Sequence, residues 1–142
     1  MDFQAIHPNF KLPSYGSEGA AAFDLFMPDS GAIPAGYDKV VAVNLGFMAA
    51  VPEGHVALIL PRSGTGIKTG LSLRNTCGVI DSDYRGEWRA VLKVDNEEGL
   101  RWEAGARLLQ VMVVPVVQVQ IQQVGTLSET ARGAGGFGST GE

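Results

Sequence analysis

The sequence predicts an all-β protein, a jelly-roll-like sandwich of packed antiparallel sheets with at most one short helix. The first reason is that 19 glycines and 7 prolines divide the 142 residues into short segments. Within these segments apolar and polar residues alternate, which is the period of a strand with one buried face. In addition, the sequence contains no internal repeat of the kind that would indicate a solenoid or a propeller. Short strands at regular spacing are typical of sandwiches and jelly rolls.

Five segments alternate clearly enough to be predicted as strands. They are Ala20 to Phe26, Lys39 to Phe47, His55 to Leu60, Trp88 to Val94 and Arg107 to Val114.

Alternation also predicts which side chains share a face in three of these strands. The three sets are Val41, Val43, Leu45 and Phe47; Val56, Leu58 and Leu60; and Trp88, Ala90, Leu92 and Val94. Gln110 interrupts an otherwise apolar strand, and a buried amide at that position requires hydrogen-bond partners.

The remaining segments indicate loops and a tail. Pro61 to Gly70 contains four glycine or proline residues and is expected to be a loop with about one helical turn. Val117 to Gln122 alternates strictly, and Pro115 before it indicates a hinge between two strand segments. We expect residues 1–125 to form one β domain and 126–142 a flexible glycine-rich arm.

Composition restricts the classes of function. A net charge of −4 with 11 scattered Lys and Arg argues against a duplex-binding surface, and no apolar run is long enough to span a membrane. The single cysteine, Cys77, and an N-terminus unlike a signal peptide indicate a reducing cytoplasm. His7 and His55 supply no zinc spacing, whereas oxygen-bound Mg²⁺ remains possible.

The stretch Gly78 to Trp88, GVIDSDYRGEW, has the pattern of a β-hairpin whose bend carries unusually many functional groups. Asp81 and Asp83 either form the turn and pair with arginine, or one of them is a general base acting on water. Spacing alone leaves both alternatives open.

Two further segments can bind phosphate. Arg62 and Ser63 follow a strand, where they form either a phosphate grip or a polar turn. The tail RGAGGFGSTG, from Arg132 to Gly141, is either a mobile terminus or a lid whose backbone N–H groups face phosphate oxygens. Asp24 is either a strand-end cap or part of a metal shell.

Taken together, these segments resemble the trimeric dUTPases (deoxyuridine 5′-triphosphate nucleotidohydrolases). The matching motifs, in the family's order, are AAAFDL from Ala20, PRSG from Pro61, GVIDSDYRG from Gly78, RLLQ from Arg107 and RGAGGFGSTG from Arg132. The resemblance implies a homotrimer with shared active sites that hydrolyses dUTP to dUMP and pyrophosphate with Mg²⁺. This dUTP diphosphatase activity would keep uracil out of DNA and supply dUMP for thymidylate synthesis.

The resemblance also implies residue roles. Asp81 would activate the attacking water, Tyr84 would lie against the deoxyribose, and Asp24 would bind Mg²⁺ through water, the metal being held mainly by substrate phosphates. Asp83 and Arg85 would be structural. The other substrate-binding residues implied are Arg62, Ser63, Gly64, Asn75, Gly78, Val79, Gln110, Arg132, Phe137, Gly138, Ser139 and Thr140.

Two rival functions are less consistent with the residues. The dCTP deaminases share the expected fold, but Asp81 and Tyr84 match the hydrolase pattern. A regulatory interaction protein, for which the nucleotide is a controlling ligand, would be expected to carry an inserted segment, and the motifs here are separated by none.

Overall fold

The structure, a computed structural model, describes residues 1–36 and 38–136. Within these ranges the chain forms short strands and one helix of seven residues. The elements are β1 (Asp2–Ala5), β2 (Ser14–Tyr15), β3 (Phe23–Asp24), β4 (Gly31–Ile33), β5 (Val40–Ala50), β6 (His55–Pro61), α1 (Ser63–Thr69), β7 (Leu71–Leu73), β8 (Gly78–Ile80), β9 (Glu87–Val94), β10 (Leu100–Trp102) and β11 (Leu109–Pro115).

The strands form two main sheets and a small third one, and the predicted all-β sandwich is confirmed. The four-stranded sheet has the order β1-β5-β9-β7, and the five-stranded sheet has the order β2-β3-β11-β6-β8. Strands β10 and β4 pair separately, and the pairs in all three sheets are antiparallel. The buried apolar side chains of these sheets form one continuous core.

The predicted buried faces are confirmed for β9 and β5. Trp88 and Leu92 on β9 are fully buried. On β5 the register against β9 shifts between Asn44 and Met48, where Gly46 adopts a positive φ of 76°. Between the two paired positions the chain advances four residues on β5 and two residues on β9. Both numbers are even, so the side chains keep their alternation and Phe47 stays on the core side.

The predicted face of β6 is wrong. Ala57 and Ile59 are completely buried, whereas Val56, Leu58 and Leu60 are only partly buried. Every residue from 56 to 60 is apolar, so alternation within the segment cannot distinguish the two faces, and packing against the opposite sheet decides between them.

The predicted hairpin at 78–88 is also wrong. Strand β8 pairs with β6 in the five-stranded sheet, and β9 pairs with β5 and β7 in the four-stranded sheet. The bend from Asp81 to Gly86 therefore crosses from one sheet to the other. Because β8 and β9 do not pair, a cleft opens between them.

Three other predicted segments differ in extent. The strand expected over 20–26 forms only at β3, although the Leu25 N–H still donates to the Leu109 carbonyl at 3.0 Å. The loop at 61–70 contains α1, whose end is set by Gly70 at a φ of 68°. Residues 116–124 form no strand within the described chain, since the β11 ladder ends at Pro115.

Among the described residues, no helix has the length and apolar character needed to cross a membrane.

Candidate active site

The first cleft, of about 560 Å³, lies where β3, the end of β6, α1 and β11 meet. We call it the cationic cleft. Five predicted site residues line it together: Asp24, Arg62, Ser63, Gly64 and Gln110. Lys68 is exposed and lines the same cleft. Residues far apart in sequence are thus brought to one surface, on which two cationic side chains, Arg62 and Lys68, accompany the one carboxylate of Asp24.

Asp24 is the only polar or charged residue that is buried among the described residues, and two arginines neutralise it. Arg62 Nε lies 2.7 Å from Asp24 Oδ1, and Arg107 Nη1 lies 3.1 Å from Asp24 Oδ2. A buried carboxylate requires partners of this kind. Since one negative charge meets two positive charges, the cluster as a whole favours an anion.

The backbone around Arg62 and Gln110 fixes this arrangement. Arg62 Nη1 donates to the Arg107 carbonyl at 3.3 Å, and the Arg62 N–H donates to the Leu108 carbonyl at 3.0 Å. The Gln110 amide donates to the Pro61 carbonyl at 3.1 Å, which supplies the partner that its position in the strand requires. Strand pairing places Gln110 directly opposite Asp24.

The second cleft lies between strands β8 and β9, which do not pair with each other, and we call it the interstrand cleft. It consists of two hollows that share Arg89. The smaller, of about 210 Å³, is lined by Val79, Asp81 and Tyr84, and the larger, of about 560 Å³, by Asn75 and Gly78. All five residues that the resemblance places in this region therefore line one or the other of these adjoining hollows.

Strand β8 has a free edge on the side of this cleft. It pairs with β6 on one side only and is the last strand of its sheet as described. A strand edge without a neighbouring strand presents backbone N–H and C=O groups that a ligand can use. Gly78 keeps β8 close to β6, since a Cβ there would lie 3.0 Å from that of Ile59.

The bend that carries Asp81 and Tyr84 is held by local hydrogen bonds. The Tyr84 N–H donates to the Asp81 carbonyl at 3.2 Å, and the Tyr84 hydroxyl donates to the Glu87 carbonyl at 3.0 Å. Arg85 donates to the carbonyls of Ser82 and Tyr84 at 2.7 and 2.9 Å. Asp81 is exposed, and its carboxylate is therefore accessible to water.

Two residues at or beside these clefts were not predicted from the sequence: Arg107, which contacts Asp24 without lining the cationic cleft, and Arg89, which lines the interstrand cleft. Arg107 lies in the RLLQ segment, just before β11, but only its side-chain contact with Asp24 reveals it. Arg89 is exposed on β9 and lies 3.5 Å from a Glu87 carboxylate oxygen. The alternation of β9 does indicate that Arg89 points away from the core. The sequence does not show that β8 and β9 fail to pair, so no cleft beside Arg89 could be inferred from it.

The tail residues are not brought to either cleft in the described chain. Arg132 Nε donates to the Gly135 carbonyl at 2.9 Å, within the tail itself, and Arg132 lines neither cleft. Phe137, Gly138, Ser139 and Thr140 lie outside the described residues. Of the residues that the structure describes, none lines both the cationic cleft and the interstrand cleft.

The residues of the cationic cleft fit Mg²⁺ only together with a substrate. Over residues 1–36 and 38–136, no three His, Cys, Asp or Glu side chains cluster as metal ligands. Mg²⁺ is commonly held by one or two carboxylates, waters and substrate phosphates. Asp24 accepts a hydrogen bond from Arg107 and lies at salt-bridge distance from Arg62, so of its roughly four acceptor positions some remain for a metal-bound water.

Comparison with known proteins gives a consistent family. The family model described as dUTPase matches residues 8–141. The deoxyuridine 5′-triphosphate nucleotidohydrolase of Rhizobium etli (strain CIAT 652) is 43% identical over 135 residues, which cover 92% of this chain and 85% of the relative. The enzyme of the same name from Wolinella succinogenes is 43% identical over 137 residues, covering 96% and 91%.

Solved structures show the same fold. The Staphylococcus bacteriophage 80alpha dUTPase with dUPNHPP superimposes with a TM-score of 0.85 at 25% identity, covering 99% of this chain and 98% of that one. A mutant dUTPase from phage phi11 of S. aureus, whose structure is described as showing the coordination of a structural Mg(II) ion, has a TM-score of 0.78 at 20% identity, covering 88% and 96%.

Proposed function

Because the chain belongs to the dUTPase family, we propose that it is a dUTP diphosphatase, which hydrolyses dUTP to dUMP and pyrophosphate. The observation that carries this proposal is the interstrand cleft. It combines the free edge of β8, a phenol and an exposed carboxylate, which are the three groups needed to bind a base, hold a sugar and activate water.

The backbone groups at the free edge of β8 form hydrogen bonds with the uracil and so recognise it. Uracil presents an acceptor, a donor and an acceptor on its pairing edge, and the backbone from Gly78 through Tyr84, with the Asn75 amide, supplies complementary groups. Cytosine inverts part of that order, and mispaired buried polar groups can discriminate by about 10⁴ to 10⁵. Thymine adds only a methyl group, so its rejection depends on a close wall, for which the tightly packed Gly78 is suited.

Asp81 acts as the general base. Its carboxylate orients a water and takes its proton while the water oxygen bonds to the α-phosphorus. The bond from the α-phosphorus to the bridging oxygen breaks, and pyrophosphate leaves. General-base catalysis of this kind contributes about 10² to 10⁴ in rate. Tyr84 lies in the same hollow and packs against the deoxyribose, where a 2′-hydroxyl would clash.

The cationic cleft holds the triphosphate. Arg62, Ser63, Gly64 and Gln110 contact phosphate oxygens, and the two arginines around Asp24 favour the anion. Bound Mg²⁺ would neutralise charge that develops on the leaving pyrophosphate. Asp24 would accept a hydrogen bond from a water of that metal.

We extend the proposal to a homotrimer in which clefts of different subunits meet. Three features support assembly: the two clefts share no residue, an apolar surface of β6 is only partly buried, and residues 116–124 expose alternate apolar side chains. The exposed fractions of Val117, Val119 and Ile121 are 88, 73 and 93%. Surfaces of this kind mark interaction sites.

In this arrangement residues 1–125 are the catalytic domain and 126–142 an arm that closes over an active site. Arg132 would reach the γ-phosphate, Phe137 the uracil, and Gly138, Ser139 and Thr140 the phosphates. The reaction is assigned to the cytoplasm, where a lone free cysteine stays reduced. There it would limit uracil in DNA and supply dUMP.

A nucleotide panel tests the activity. Pyrophosphate release should be rapid from dUTP with Mg²⁺ and hardly detectable from dCTP, dTTP or UTP. Mass analysis of the dCTP reaction distinguishes hydrolysis from deamination. Failure to hydrolyse dUTP, or release of ammonia from dCTP, would contradict the proposal.

A mixing experiment tests the shared site. Asp81→Asn lacks the base, and a chain truncated after residue 131 lacks the arm, so each homotrimer should be nearly inactive. Co-refolded mixtures should regain activity, because some sites then combine an intact base with an intact arm from another subunit. Mixtures no more active than their components would exclude a site shared in this way.

A further inference from the structure

We propose that Arg107 is a positioning residue, which keeps the Nη edge of Arg62 directed at the substrate triphosphate by occupying the second oxygen of Asp24. The proposal rests on the function proposed above, in which Arg62 contacts phosphate. It assigns Arg107 a role through Arg62, distinct from direct contact with substrate.

The geometry is a shared carboxylate. Asp24 Oδ1 lies 2.7 Å from Arg62 Nε, and Asp24 Oδ2 lies 3.1 Å from Arg107 Nη1. The side chain of Asp24 is 8% exposed, whereas those of Arg62 and Arg107 are 33 and 48% exposed. The carboxylate is therefore buried beneath two guanidinium groups that both reach solvent.

The division of the two oxygens matters because guanidinium and carboxylate prefer to pair through two parallel hydrogen bonds. If Oδ2 were free, Arg62 could bond to both oxygens of Asp24 and turn its Nη groups toward the carboxylate. With Arg107 on Oδ2, Arg62 is limited to a single contact through Nε. Of the five N–H donors of Arg62, one on Nη1 is used by the Arg107 carbonyl, while Nε lies at salt-bridge distance from Asp24.

The backbone supports the same conclusion. The carbonyl of Arg107 accepts from Arg62 Nη1 at 3.3 Å, so the residue holds the Arg62 side chain at a second point. The side chain of Arg107 thus determines which oxygen Arg62 uses, and its carbonyl determines the rotation of the guanidinium. The remaining Arg62 donors are left for the cationic cleft.

Arg107→Met is the decisive variant, since it removes the charge while keeping a long apolar stem. We expect KM for dUTP to rise roughly 10- to 100-fold, the range for a misplaced positioning group, with a smaller change in kcat. Calorimetry with inorganic triphosphate should show weaker binding by the same factor. Binding of dUMP, which lacks the β- and γ-phosphates, should be unchanged.

Three further variants separate positioning from other roles. Arg107→Lys retains one donor for Oδ2 and should restore affinity to within about twofold, whereas a direct two-bond phosphate contact would not survive this change. In an Arg62→Met background, Arg107→Met should cost less triphosphate affinity than it does alone, because only the contribution of its charge to the cluster then remains to be lost. Arg101→Met, an exposed arginine on β10 that lines neither cleft, is the matched control and should behave as wild type.

The proposal is overturned if Arg107→Met binds inorganic triphosphate like wild type, or if its cost adds fully to that of Arg62→Met. Thermal melting shows whether Arg107→Met folds; if it does not, a loss of triphosphate affinity in a folded Arg107→Lys overturns the proposal by itself. A wild-type protein that binds inorganic triphosphate but leaves dUTP intact would refute the proposed function and leave the positioning measurable.

Discussion

Replacing Gly86 by alanine tests whether the bend positions the ring of Tyr84, which we propose packs against the deoxyribose. A Cβ at Gly86 would lie 2.6 and 2.9 Å from Cζ and Cε2 of Tyr84, and closer still to its hydroxyl oxygen. Gly86 is not among the glycines with positive φ, so its backbone accepts alanine without strain. The methyl group must therefore displace the phenol ring rather than the backbone.

The magnitude follows from what the ring loses. The hydrogen bond from Tyr84 to the Glu87 carbonyl, 3.0 Å long, contributes about 0.5–1.5 kcal/mol. That range corresponds to an increase in KM for dUTP of roughly 2- to 12-fold. Rejection of an added hydroxyl by a steric wall amounts to about 10² at most, so the preference for dUTP over UTP should fall by up to that factor.

The assay is the ratio of kcat/KM for dUTP to that for UTP, measured by pyrophosphate release. Gly19→Ala is the matched control, because its added Cβ would meet nothing within 4 Å and its φ is not positive. In a Tyr84→Ala background, Gly86→Ala should have no further effect. Unchanged selectivity in the single variant, with the protein folded, would refute the reasoning.

Other changes give equally direct outcomes. Asp81→Asn should bind dUTP with near wild-type affinity and lose about 10² to 10⁴ in kcat, and full activity in this variant would contradict its role as base. Deletion of 132–142 should lower kcat/KM while light scattering still gives three times the mass of the chain, whereas a stable monomer for the full chain would exclude the trimer. Phe47→Ala should lower the free energy of unfolding in urea by about 3–5 kcal/mol, since Phe47 is 2% exposed and its ring centroid lies 5.2 Å from that of Trp88. Ile67→Ala, at 86% exposure, is its control and should stay within about 0.5 kcal/mol of wild type.

The buried face of β9 could be predicted from the sequence, and that of β6 could not. On β9, Trp88 and Leu92 alternate with charged Arg89 and Lys93, and charge excludes those positions from the core. On β6 both alternating sets are apolar, so either face could have been buried. The local pattern therefore predicts which face of a strand is buried only where the other face carries polar or charged side chains that are costly to bury.

The candidate site shows the same division. Residue types alone left Asp24, Arg62 and Asp81 open between structural and functional roles, and the order of five motifs along the chain, through its resemblance to the dUTPases, favoured the functional ones. Their partners were not predictable, since the contact of Asp24 with Arg107 joins residues 83 positions apart. Such contacts depend on which strands pair.

By itself, the sequence determined the all-β class, the alternating strands and the types of group that the site contains, because these follow from local period and side-chain chemistry. Only the tertiary structure decided that β8 and β9 part into different sheets, and that one buried carboxylate serves two arginines. The physical reason is that strand pairing and ion pairing between distant residues depend on the packing of the whole core, which no local window contains.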